Sequence, residues 1–89
     1  MTEQEKRLAA PSATATRVAR MLLLEQAARF VGGQDELAKA LGIQTRSLRA
    51  KFAADRGVSD DDLRAAAAAM DARAAVIAKK AAKIRELIA

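Results

Sequence analysis

The chain has 89 residues, room for one domain, and 24 of its 46 apolar residues are alanine, which leaves 22 large ones to build a core. Two aromatics (Phe30 and Phe52), one proline, four glycines and few β-branched residues exclude a sandwich, a barrel or a disulfide scaffold, and alanine has the best intrinsic helix propensity, so the expected fold class is all-α. The absence of histidine and cysteine removes the usual general base, the thiolate nucleophile and every soft metal ligand, while a net charge of +5 and a pI near 10.2 point to a polyanionic partner.

Residues 1–11 mix charges, carry one large apolar residue after the initiator (Leu8) and end at Pro11, which disfavours helical geometry at Ala10; they read as a flexible arm. The stretch Thr2 to Arg7 is mixed in charge and is no secretion signal. No unbroken apolar run approaches the roughly 20 residues of a membrane span, so the expected compartment is the cytoplasm, without membrane contact. Residues 12–58 follow as one domain. Its first helix is predicted from Ser12 or Thr14, either a good N-cap, to Val31, where Gly32-Gly33 supplies a left-handed stop. Its apolar face takes Leu23, Leu24, Ala27, Ala28, Phe30 and Val31, and Arg17, Arg20 and Arg29 lie off that face as a solvated surface.

Gln34 to Leu41 carries Leu37, Ala38 and Leu41 at offsets of three and four, and Gly42 ends that helix. A second short helix from Gln44 or Thr45 to Ala54 buries Leu48 and Phe52, four apart, and Asp55-Arg56-Gly57-Val58 connects onward with Val58 tucked beneath the core. The segment 59–89 is predicted as one continuous helix, N-capped by Ser59. Asp60, Asp61 and Asp62 lie against the positive end of its dipole, and Lys79, Lys80, Lys83 and Arg85 against the negative end. The acidic triplet makes a poor divalent-metal site, because three consecutive helical residues fan out over about 200°. A serine activated by lysine is the remaining nucleophile, but Ser12, Ser47 and Ser59 all sit at helix boundaries or on an exposed helix face. The chain is expected to be no enzyme and to hold no metal or cofactor.

The two short helices hold particular residue types in particular places. Counting Gln34 as the first position, a small residue (Ala38) stands fifth and a glycine able to take positive φ (Gly42) ninth. Apolar residues Leu37, Leu41, Ile43, Leu48 and Phe52 stand fourth, eighth, tenth, fifteenth and nineteenth. A helix-turn-helix needs this set: a small side chain where the helices cross, a turn glycine, and apolar plugs facing the first helix. Gly33-Gln34 through Gly57, about 25 of the 89 residues, resembles the helix-turn-helix of bacterial and phage regulators, both lambda-type repressors and Fis-like domains. The run Leu41-Gly42-Ile43-Gln44-Thr45-Arg46-Ser47-Leu48-Arg49-Ala50-Lys51 is especially similar to Fis-like recognition segments. It departs from them in a connector one residue longer before Gly57 and in the thirty or so residues that follow.

The resemblance implies that the second short helix enters the major groove of duplex DNA and reads bases from its exposed N-terminal side. By matching positions, Gln44, Thr45, Arg46 and Arg49 are the candidates for base edges, and Lys39, Ser47, Lys51 and Arg56 for phosphate. The residues agree: Lys39 to Ala54 contains no acid, arginine pairs bidentately with guanine, and glutamine with adenine. RNA is disfavoured because single-strand readers rely on aromatic stacking, and neither phenylalanine is expected to be exposed.

In the last helix Leu63, Met70, Ile77 and Ile84 recur every seven residues, and Ala67, Ala74, Ala81 and Ile88 interleave at four and three, the pattern of a coiled-coil seam. Thirty helical residues span roughly 45 Å, against a radius of gyration of about 12 Å for a compact domain of this size, so part of the stripe must protrude and a homodimer is expected to cover it. The pattern leaves parallel and antiparallel pairing open. The expected function is a sequence-specific duplex-DNA-binding transcriptional regulator. Repression is expected, since 89 residues leave no room for a ligand-sensing domain and occupying an operator is enough to block polymerase. The alternatives are a protein-interaction module, such as an antiactivator that sequesters another regulator with its long helix, and a sequence-indifferent nucleoid-type binder.

Overall fold

The computed structural model describes residues 13–53 and 57–89, and these form four helices and no strand. Helix α1 spans Ala13–Val31, α2 Gln34–Leu41, α3 Thr45–Phe52 and α4 Asp60–Ile88. Thr14 therefore lies inside α1 rather than capping it; Ser12, the arm over 1–11, Ala54, Asp55 and Arg56 lie outside the described residues.

Each boundary has a local cause. Gly32 and Gly33 take φ of 107° and 121°, which turns the chain sharply between α1 and α2, and the Gly33 N–H donates back to the Ala28 carbonyl at 2.7 Å. Gly42 closes α2 in the left-handed conformation (φ 70°, ψ 29°), while the Ile43 N–H reaches the Ala38 carbonyl at 3.0 Å and so satisfies an orphan carbonyl of the last turn. At α4 the Ser59 hydroxyl accepts from the Asp62 N–H and the Asp62 carboxylate accepts from the Ser59 N–H, a reciprocal capping box.

The core is built from one leucine of each of the first three helices: Leu24, Leu37 and Leu48 are fully buried. Each such side chain contributes about 1.5–3 kcal/mol relative to exposure. Ala27, Ala28 and Val31 of α1, Ala38 of α2 and Val58 of the connector fill the space between them. Ala66 of α4 is buried in the same core, and Leu63 and Ala69 pack against it, so the first turns of α4 belong to the body of the domain. Small residues at this contact let α4 approach α1 and α2 closely. The remainder protrudes: from Asp71 on, every residue but the half-buried Ala81 is exposed. The radius of gyration is 16.9 Å, with extents of 52 × 40 × 16 Å.

Two expectations for α1 are corrected. Leu23 and Phe30 are 58% and 64% exposed, because the buried stripe is narrow and runs through Leu24, Ala27, Ala28 and Val31; Leu23 and Phe30, seven apart, sit beside it. Arg20 is no free surface cation: its guanidinium donates to the Val58 carbonyl at 3.2 Å and pairs with Asp60 at 2.6 Å, tying α1 to the start of α4.

Candidate nucleic-acid interface

The turn between α2 and α3 sets the site. Gly42 carries the chain around, Ile43 packs against the core, and Gln44 stands at the N-cap of α3 in extended conformation with no side-chain cap bond. Leu48 then anchors α3 in the core, which fixes the rotation of the helix about its axis. That rotation leaves Gln44, Arg46 and Arg49 exposed, with Thr45 and Ser47 half-buried beside them. The uncapped first turn of α3 adds the partial positive charge of a helix N-terminus.

Two contacts from the start of α2 hold Arg49 and Thr45 of α3. The Gln34 Oε1 accepts from the Arg49 Nε at 2.9 Å, and the Asp35 Oδ1 accepts from the Thr45 hydroxyl at 2.7 Å. With Nε engaged, Arg49 keeps its two terminal nitrogens, the fork that a guanine O6/N7 edge requires. Thr45, having donated its proton, presents acceptor lone pairs only. Gln34 and Asp35 did not emerge from the sequence as site residues; the signal lay in the motif itself, which brings the first turn of α2 against the exposed side of α3.

The phosphate candidates separate. Lys39 is exposed and pairs loosely with Glu36, three residues earlier on α2, at 3.5 Å, while Ser47 is half-buried on α3. Lys51 is different: its side chain is 17% exposed, and its ammonium donates to the Asp62 carboxylate at 2.8 Å and to the Gly57 carbonyl at 3.4 Å. A lysine held in this way fastens α3 to the N-terminus of α4, a structural role that competes with the phosphate contact expected of it. Arg56 lies outside the described residues.

The acidic triplet diverges to three cations: Asp60 to Arg20, Asp61 to Arg64 at 2.8 Å, and Asp62 to Lys51. Hydrogen bonding and charge attraction from Arg20 hold the Asp60 carboxyl below its ordinary value. Partial burial opposes ionisation of Asp62, but the Lys51 ammonium and the Ser59 N–H outweigh it, and its pKa is also lowered. Among the described residues no group of three acidic side chains converges as a metal site would require.

The predicted seam divides along α4. Leu63 is half-buried against the core, Ala67, Ala74 and Met70 are exposed, Ala81 is half-buried, and Ile77, Ile84 and Ile88 are 58%, 63% and 81% exposed. Beside its first turns an open, mainly apolar groove of about 280 Å³ is lined by Leu23, Phe30, Leu63, Ala67 and Met70, among others. Phe30, the more exposed of the two phenylalanines, therefore sits in apolar surroundings rather than within a basic groove. No described helix is long and apolar enough to cross a membrane. Comparison with protein-family models, curated proteins and solved structures finds no match to this chain.

Proposed function

We propose that this chain is a helix-turn-helix protein that binds duplex DNA in a sequence-specific manner as a homodimer and regulates transcription from the cytoplasm, acting as a repressor. The observation that carries the reading is the arrangement of α2, Gly42 and α3, which projects Gln44, Arg46 and Arg49 from one side of a helix whose other side is anchored by Leu48. The described part of α3 carries no carboxylate, and Gln34 holds the arginine best placed for bidentate pairing. The proposed base-reading set is Gln44, Thr45, Arg46 and Arg49, with Lys39, Ser47 and Arg56 on phosphate. The reading requires no cofactor and assigns no catalysis. The exposed stripe of α4 gives the dimer its seam, and a twofold pair presents two α3 helices to a palindromic site.

Selection of bound fragments from random duplex DNA tests this. A defined palindromic motif is the expected result; uniform weak binding would assign the chain to nucleoid-type packaging. The stripe that suits a second copy also suits another regulator, so absence of DNA binding would shift the assignment to a protein-interaction module.

A further inference from the structure

The α4 seam alone is a thin interface. From Leu63 to Ile88 it is a strip about 38 Å long and about 10 Å wide, close to 400 Å² per partner, and three of its eight positions are alanine. Twice that area falls short of the roughly 1,200 Å² at which stable interfaces begin. Yet the chain exposes further apolar groups that the seam does not use: Leu23 and Phe30 on α1, and Leu87, 87% exposed, one position to the side of the seam.

We infer that the dimer is antiparallel, with the bare C-terminal half of the partner's α4 seated in the groove between α1 and α4; the inference rests on the homodimer reading above. Call the Ala67/Ala74/Ala81/Ile88 set a and the Leu63/Met70/Ile77/Ile84 set d. The g flank then holds Ala66, Arg73, Lys80 and Leu87, and the e flank Arg64, Asp71, Ala78 and Arg85. Ala66 is buried toward the body of the domain and lines the groove, so the g flank is the one that carries α1. In a parallel pair g faces e, which sets Asp71 of the partner subunit opposite Ala66 and a charge against Phe30, and leaves Leu87 bare. In an antiparallel pair g faces g. With the twofold axis between Ala75 and Val76, Ala67 meets Ile84 of the partner subunit, Ala74 meets Ile77 of the partner subunit, and Leu87 of the partner subunit lies opposite Ala66. The most exposed large side chains of the helix end thus fill the apolar groove between α1 and the start of α4. Burying the exposed parts of Leu23, Phe30 and Leu87 twice over adds several hundred Å² and brings the interface into the range of stable dimers.

Sedimentation and cysteine cross-linking test the arrangement, the latter on a chain that has no cysteine of its own. Phe30→Asp and Leu87→Asp, both at exposed helical positions whose retained helicity is checked by circular dichroism, are expected to raise the dimer dissociation constant at least tenfold. Chains carrying Ala67→Cys are expected to cross-link to chains carrying Ile84→Cys and not to themselves. If Phe30→Asp and Leu87→Asp leave the dimer intact while Ile77→Glu dissolves it, the dimer stands on its seam and the groove is overturned. Self-cross-linking of Ala67→Cys overturns the antiparallel order. A wild-type chain that is monomeric at about 100 µM, within the weak-dimer regime, removes the homodimer reading itself.

Discussion

Arg49 and Lys51 stand two positions apart on one short helix, and their contacts give them different work. Arg49 commits Nε to Gln34 and keeps its terminal fork, whereas Lys51 is closed on Asp62 and Gly57. Arg46→Ala and Arg49→Ala should each cost about 1–3 kcal/mol of binding to a selected cognate site and much less on random duplex, so the specificity ratio falls. Lys51→Ala should instead lower the melting temperature, a charged hydrogen bond of this kind being worth about 1.5–3 kcal/mol, while the salt dependence of DNA binding, read from titrations at several salt concentrations, keeps its slope. Gly42 allows a cleaner separation of steric from conformational cost. A Cβ built there meets nothing within 4 Å, yet φ is +70°, so Gly42→Ala should destabilise by about 1 kcal/mol through backbone strain alone. Gly42→Asn should cost less, because asparagine tolerates the left-handed region; thermal melts of the two variants decide, and a loss at Gly42→Asn as large as at Gly42→Ala would mean that φ does not set the requirement.

At the scale of elements, the N-terminus of α4 is where three helices are tied together, through Arg20–Asp60 and Lys51–Asp62, and both carboxyls titrate below their ordinary value. Because the folded-state pKa of each lies below the unfolded one, the unfolded chain takes up protons first as pH falls. The stabilisation is complete above the ordinary carboxylate range near 4 and is lost as pH drops through the folded values. Denaturant unfolding from pH 7 down to about 2 should therefore show a decline below about pH 4 that Asp62→Asn and Asp60→Asn each flatten in part. The ends of these elements were legible in the sequence because their causes are local: Gly32-Gly33, Gly42 and the Ser59 cap each act within a few residues. So were Leu24, Leu37, Leu48 and Val58, which repeat at helical spacing or follow a glycine break. The ion pairs were not legible, since Lys51 and Asp62 are 11 positions apart and Arg20 and Asp60 are 40 apart, and nothing local links them. Nor was the placement of Leu23 and Phe30: a run of apolar residues on α1 marks a broad face, and only the position of α4 decides which edge of it is covered. The five alanines from 65 to 69 likewise offer no contrast in hydrophobicity to show that Ala66 faces the core and Ala67 does not.

For the whole molecule, the proposed antiparallel dimer and the proposed DNA complex should respond to salt in opposite directions. Association with DNA releases counterions, so its affinity falls as salt rises. The proposed dimer closes on apolar side chains, and its flanks bring like charges together: Arg73 faces Lys80 of the partner subunit on the g side, and Arg64 faces Arg85 of the partner subunit on the e side, where Asp61 partly neutralises Arg64. Screening, with a Debye length that shrinks from about 10 Å at 0.1 M to about 3 Å at 1 M, relieves this repulsion and leaves apolar burial intact. Raising salt from about 0.05 M to 0.5 M should therefore tighten the dimer several-fold in sedimentation equilibrium while the protein–DNA complex weakens in parallel titrations. Lys80→Glu should reverse the salt response on the g side by turning the repulsion with Arg73 into attraction, and should therefore tighten the dimer most at low salt. A dimer that loosens with salt would place opposite charges across the seam, which the antiparallel register centred between Ala75 and Val76 does not do, and would require a different pairing of the two helices.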